Sequence, residues 1–216
     1  VRVFSESCHM DVASCNAVVA GLSRNCLVDE ALRLFREFVA QGVQLNVVSW
    51  TSIVACCVQN GKDLEAVELF REMQAQGIEP NSVTIPCVLP AFANVAALMH
   101  GRSAHCFSLR KGFLHDVYVC SALVDMYAKC GSIGEARAIF DSIACKDLVS
   151  WNSMIFGYSQ HGLAEHCIDL LKEMEGHIMP DAISFLGVLS SCRHACLVTE
   201  GRHCFRAMIE HGIKPE

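Results

Sequence analysis

The 216-residue chain is 52% hydrophobic and 19% charged, which excludes an intrinsically disordered polymer. Its 17 Lys and Arg against 23 Asp and Glu leave a net charge of −6, which excludes a broadly basic nucleic-acid coat but not a local basic groove. No apolar run of about 18 residues occurs, so no transmembrane helix and no membrane partner are expected.

An internal period organises the chain. Aligning Ser49-Trp50-Thr51-Ser52-Ile53 on Ser150-Trp151-Asn152-Ser153-Met154 divides it into segments 12–46, 47–81, 82–116, 117–147, 148–181 and 182–216, preceded by residues 1–11. Each segment reads as two helices. In the first, apolar residues recur at i, i+3, i+4 and i+7: Cys15, Val18, Val19 and Leu22, then Trp50, Ile53, Val54 and Cys57, then Cys120, Leu123, Val124 and Tyr127, then Trp151, Met154, Ile155 and Tyr158. The second helix repeats the spacing at Ala31, Leu34, Phe35 and Phe38 and at Ala66, Leu69, Phe70 and Met73. It does so again at Ala136, Ile139, Phe140 and Ile143 and at Cys167, Leu170, Leu171 and Met174. Gly61, Gly131 and Gly162 punctuate the end of the first helix, and Asn or Asp at the segment ends is placed to cap the next. No segment reads as a strand. One hairpin cannot bury both stripes alone, so the fold expected is all-α, an α-solenoid of stacked helix-turn-helix units. The Trp, Met and aromatic stripe is core.

The 14 cysteines include no CxxC pair and read as small apolar residues at helix interfaces, reduced in an intracellular or organellar compartment. Cys192, His194, Cys196, His203 and Cys204 match no closed zinc site, and no metal or cofactor is expected. A phosphate-binding GxxxxGK[ST] loop and a GxSxG elbow are both absent, so an enzyme is not expected.

The repeats resemble pentatricopeptide repeats over the whole chain. The resemblance rests on Val47-Val48-Ser49-Trp50-Thr51-Ser52-Ile53, on Glu65-Ala66-Val67-Glu68-Leu69-Phe70-Arg71-Glu72-Met73 and on Gly77-Ile78-Glu79-Pro80-Asn81. Alternating lengths resemble the plant subclass that mixes P, L and S repeats, with 82–116 and 182–216 as L repeats and the 31-residue 117–147 as an S repeat. Residues 1–11 look like the end of a preceding S repeat, and the whole looks like a fragment. The zinc deaminase that can end such proteins carries HxE and CxxC, and neither occurs here.

This resemblance implies sequence-specific binding of single-stranded RNA in mitochondria or chloroplasts, with site recognition for C-to-U editing and editing-complex proteins as further partners. It also implies that the fifth and last residues of a repeat face one base. Carried over, Asn16 with Asn46 suggests a pyrimidine, Thr51 with Asn81 adenine, Ser121 with Asp147 guanine and Asn152 with Asp181 uracil. Asn81 is expected to accept from the adenine amino group while donating to its ring nitrogen. Pro86 with Asp116 and Leu186 with Glu216 offer little, so the site reads Y-A-N-G-U-N. Second-position residues, which sandwich bases, are Ala13, Val48, Val83, Tyr118, Val149 and Ile183. At the thirteenth position, near phosphate, only Arg24 and Lys129 are basic. Capping alone is the competing account of the last-position Asn and Asp.

Departures from the pattern include Cys26 for Gly, Leu45 for Pro, Cys167 for Ala and Leu171 for Phe. Segment 148–181 is one residue short in the loop before Asp181, which bears on that residue's aim. Two other readings stand beside RNA targeting: a tetratricopeptide-type protein-binding solenoid, which the 31-residue segment and the repeated polar pair oppose, and a degenerate fragment that binds nothing tightly. No small-molecule substrate is expected.

Overall fold

The computed structural model describes residues 12–214, and among these the chain is twelve α-helices and one 3₁₀ turn with no strand. It divides into two compact units at Val95/Ala96. The first holds α1 (Val12–Arg24), α2 (Val28–Ala40), α3 (Val47–Gln59), α4 (Asp63–Ala75) and α5 (Thr84–Asn94). The second holds α6 (Leu98–Lys111), the 3₁₀ turn Phe113–His115, α7 (Val117–Lys129), α8 (Ile133–Ser142), α9 (Leu148–Gln160), α10 (Ala164–Glu175), α11 (Ala182–His194) and α12 (Val198–Glu210).

Within each unit the first helices of successive hairpins stack on one another. α1 packs on α3 and α3 on α5, while α7 packs on α9 and α9 on α11. Second helices such as α4 and α10 lie against their own partner and the next first helix, α4 with α3 and α5 and α10 with α9 and α11. The helical spacing of the apolar residues produces this arrangement, because a stripe on each helix is covered from two sides. Trp50 and Trp151 are fully buried, edge-on to Phe35 and Phe140 with ring centroids 4.9 and 5.0 Å apart. Such pairs contribute about 0.5–1.5 kcal/mol beyond their buried area. Small residues let the first helices approach. A Cβ built on Gly157 of α9 would lie 2.9 Å from the Ala128 Cβ of α7, and one on Gly187 of α11 would lie 2.8 Å from Ile155 of α9.

The turn closing each first helix requires a left-handed residue. Gly61, Gly131 and Gly162 supply it at φ of +70°, +82° and +70°. At the same repeat position Cys26, Ala96 and Cys196 take φ of +56°, +53° and +56°, a conformation that costs a residue with a Cβ roughly 1–2 kcal/mol. Of the three, only Cys26 is among the departures named in the sequence. The second helices end differently in the short repeat. Gly42 and Gly77 are left-handed and let Val43 and Ile78 bond back to Phe38 and Met73, five residues earlier. Gly176 stays right-handed, and Ile178 bonds only four residues back, to Met174. The missing residue is absorbed there.

Candidate functional site

The start of each first helix is where the candidate side chains gather. Four backbone N–H groups lack partners at a helix N-terminus, and a short polar side chain one residue before it accepts them. Asn46 accepts from the Ser49 N–H at 3.1 Å and Asp147 from the Ser150 N–H at 2.8 Å. Asp181 accepts from the Ser184 N–H at 2.8 Å, and Asp116 from the Tyr118 N–H at 2.9 Å. Asn81 caps the turn leading into α5, accepting from Val83 and Thr84 at 3.0 and 2.9 Å. All five last-position Asn and Asp residues between 46 and 181 are therefore caps. Capping and base contact do not exclude each other, because an amide or carboxylate has two ends.

The cap decides which end is left. Only an oxygen can accept an N–H, so Asn81 must turn Oδ1 inward, where it takes a third bond from the Thr84 hydroxyl at 2.9 Å. This corrects the expectation that the Asn81 amide both accepts and donates at a base. Its oxygen is committed to the helix, and the Nδ2 group is the one outside the cap. In Asp147 and Asp181 the capping bonds likewise converge on Oδ1. The repeat-end residue thus presents N–H donors when it is Asn and a carboxylate oxygen when it is Asp.

Fifth-position residues lie beside these caps. The Thr51 hydroxyl is 2.7 Å from that of Thr84, and the Ser121 hydroxyl 2.9 Å from that of Ser150. Both Thr51 and Ser121 are buried, so they form the floor of the site and are not protruding contacts. Asn152 is larger and half-buried; its amide donates to Asp181 Oδ1 at 3.2 Å and its oxygen accepts from the Ser184 hydroxyl at 2.6 Å. Burial pushes the Asp181 carboxyl up, but the bonds from Ser184, Asn152 and the Ile183 backbone outweigh it and hold it below the usual carboxylate range. The short loop before Asp181 has left this pairing intact. Asn16 is half-buried with an Oδ1 that finds no hydrogen-bond partner. Glu216 lies outside the described residues, as do residues 1–11.

One residue type in the site was missed in the sequence. Ser49, Thr84, Ser150 and Ser184 stand third in their helices' repeats, and each is at most 1% exposed. Among the described residues, six of the eight buried polar ones belong either to this set or to the fifth-position set, so the buried polarity is concentrated here. A signal was present: Asn46, Asn81, Asp147 and Asp181 are each followed three residues later by Ser or Thr, the spacing of a reciprocal cap. Asp116 breaks the pattern, with Val119 in that place.

Second-position residues flank the caps. Val48, Val83, Tyr118, Val149 and Ile183 are all between 52% and 66% exposed, and Ala13 is exposed as well. Single exposed apolar residues are ordinary, but recurrence at one repeat position is not. The cationic candidates are uneven. Arg24 is exposed at the end of α1, whereas Lys129 is engaged by Asp125 at 2.9 Å, one helical turn away. No group of three or more potential metal ligands is assembled among the described residues, and no helix there is long and apolar enough to cross a membrane. Cys192 and Cys204 are instead buried thiols.

These features define a helical-hairpin repeat protein with an exposed apolar residue near the start of each repeat and a polar pair in four of them. A pentatricopeptide repeat domain profile matches residues 33–94, and a PPR repeat profile matches 13–43, 118–148 and 149–177. The chain belongs to the pentatricopeptide repeat family. It is 50% identical to pentatricopeptide repeat-containing protein At1g20230 of Arabidopsis thaliana, over the whole of this chain and 29% of that protein. It is 37% identical to the chloroplastic protein DOT4 of the same plant, over 99% of this chain and 21% of that one. The chain thus spans under a third of the length of these relatives. Among solved structures, maize PPR10 superposes with a TM-score of 0.53 at 17% identity, over 99% of this chain and 36% of that one. The PPR domain of Arabidopsis thaliana PRORP1, solved with tRNA, superposes with a TM-score of 0.53 at 15% identity, over 95% and 92% of the two chains.

Proposed function

We propose that this chain is a sequence-specific module for single-stranded RNA, acting in organellar RNA processing as the site-recognition part of a C-to-U editing protein. The observation that carries the reading is the repeat-end residue held by its cap, with one chemically defined group left outside. Adenine and cytosine carry a ring nitrogen that accepts, which suits the Asn46 and Asn81 amides. Guanine and uracil carry a ring N–H that donates, which suits the Asp147 and Asp181 carboxylates. Thr51 and Ser121, small and recessed, leave room for a purine, whereas Asn152 fills that space and favours a pyrimidine. The exposed second-position side chains would clamp base faces, with Tyr118 able to stack. Maize PPR10 has been crystallised with a psaJ RNA element, and curated relatives carry names that include chloroplastic and mitochondrial. Those names support an organellar setting for this chain.

On this reading the module does no chemistry of its own, and the 31-residue segment 117–147 remains the sequence feature that sets it apart from a protein-binding tetratricopeptide array. The test is binding of the chain to a single-stranded RNA carrying Y-A-N-G-U-N, compared with its duplex and with strands altered at the specified bases. Preference for the intact single strand is expected. Equal affinity for the duplex would contradict reading of the base edges, which pairing conceals.

A further inference from the structure

Resting on the proposed base reading, we infer that Thr84, Ser150 and Ser184 are positioning residues for specificity, their buried hydroxyls fixing which group of the neighbouring polar pair faces the base. Each hydroxyl has a single proton to give. Thr84 has one hydroxyl proton, and Asn81 Oδ1, 2.9 Å away, can only accept it. Thr84 Oγ1 in turn accepts the Asn81 N–H at 3.2 Å. The short contact of 2.7 Å to Thr51 must therefore be a donation from Thr51. Thr51 is left with outward lone pairs and no outward proton.

The second unit repeats the device with a stronger acceptor. The Ser150 hydroxyl donates to Asp147 Oδ1 at 2.6 Å, the short distance of a charge-assisted bond. Ser121, 2.9 Å away, must then donate inward. At Asn152 the logic is the same with an amide. The single Ser184 hydroxyl proton lies between two acceptors, Asn152 Oδ1 at 2.6 Å and Asp181 Oδ1 at 2.9 Å, and with the Asn152 oxygen turned to the hydroxyl its N–H faces Asp181 Oδ1 at 3.2 Å. One buried hydroxyl therefore orients the fifth residue of one repeat and the last residue beside it. Without it, the backbone cap survives but the pair is free to rotate or reprotonate. Val119 shows the site can be built without the hydroxyl, and there Asp116 accepts from the Tyr118 backbone.

The test uses Thr84→Val, which keeps shape and removes the hydroxyl, and Thr84→Ser, which keeps the hydroxyl. Affinities for four RNAs differing only at the nucleotide assigned to Thr51 and Asn81 are measured, together with four differing at the nucleotide assigned to Asn152 and Asp181. Thr84→Val is expected to flatten discrimination at the first nucleotide, leave it unchanged at the second, and be rescued by Thr84→Ser. A purely structural role would lower affinity for all eight RNAs together, in step with thermal stability, and would overturn the inference. The double variant Thr51→Asn with Asn81→Asp separates the levels. If it changes the preferred base while Thr84→Val still discriminates like wild type, this inference fails and the base reading stands. If neither wild type nor the double variant discriminates, both fail. A second readout needs no RNA. In Ser184→Ala, the Asp181 carboxyl titration followed by NMR should move upward, and an unmoved titration would contradict the hydroxyl's hold on Oδ1.

Discussion

Asn81 and Asp181 show how one side chain serves stability and recognition together. The oxygen that caps a helix is withdrawn from the solvent side, so exchanging Asn for Asp alters only the outer group. Such caps contribute about 1 kcal/mol each, so replacement by Ala should weaken folding as well as binding. Replacement of Asn by Asp should leave folding nearly unchanged. Protonation gives a further expectation at this scale. The Asp181 carboxyl is held low in the folded chain, so its contribution is full above the unfolded pKa of about 3.9 and is lost as pH falls through the lower folded value. Uracil preference at the nucleotide assigned to Asn152 and Asp181 should accordingly stay flat from neutral pH down to the ordinary carboxylate range. A loss near neutrality, in a binding titration against pH, would contradict the assignment.

Thiols provide an independent residue-scale check on the packing. Burial pushes Cys15 and Cys167 up to about 11 and Cys57 and Cys204 up to about 12, so their reactive thiolates are scarce at neutral pH. Cys26, Cys106, Cys145 and Cys196 are exposed. Brief treatment with a thiol-alkylating reagent, followed by peptide mass analysis, should modify these four before the buried set. Early labelling of Cys57 or Cys167 would contradict the packing of α3 or α10.

At the scale of elements, the hairpin turn offers a test by substitution. Cys26, Ala96 and Cys196 occupy a left-handed position that three other repeats fill with Gly. Changing each to Gly should raise stability by up to about 1 kcal/mol, the relief of strain less the added freedom of the unfolded chain. The opposite sign is expected at Gly157→Ala, where the new methyl meets Ala128 at 2.9 Å and must push α9 from α7. A loss of about 1–3 kcal/mol is expected, read as a lower denaturation midpoint. Helix existence and the apolar stripes were legible in the sequence because period and burial coincide at residues such as Trp50, Ile53 and Val54. The left-handed turn at Ala96 was not, since nothing in an alanine announces positive φ. Nor was the orientation of the Asn81 amide, which depends on N–H groups two and three residues later. The third-position hydroxyls left a readable spacing, but their role emerged only once Thr51 and Thr84 were seen in contact across two hairpins.

For the whole molecule, charge sets the expectation. The net charge is −6, and Lys129 is held by Asp125, so few cations are available to phosphate. The logarithm of affinity should fall against the logarithm of salt with a slope of only about −1 to −2, since each phosphate contact on a single strand contributes about −0.7. A slope several times steeper would point to binding dominated by the backbone and not by bases. If each polar pair reads one base, the repeat containing Thr51 and Asn81 should show it most plainly. Affinities of wild type and of Thr51→Asn with Asn81→Asp should be measured against four RNAs differing only at the assigned nucleotide. Wild type should prefer adenine and the double variant uracil, each by about 1 kcal/mol for a single base-edge hydrogen bond. The same ranking of the four bases by both proteins would contradict it.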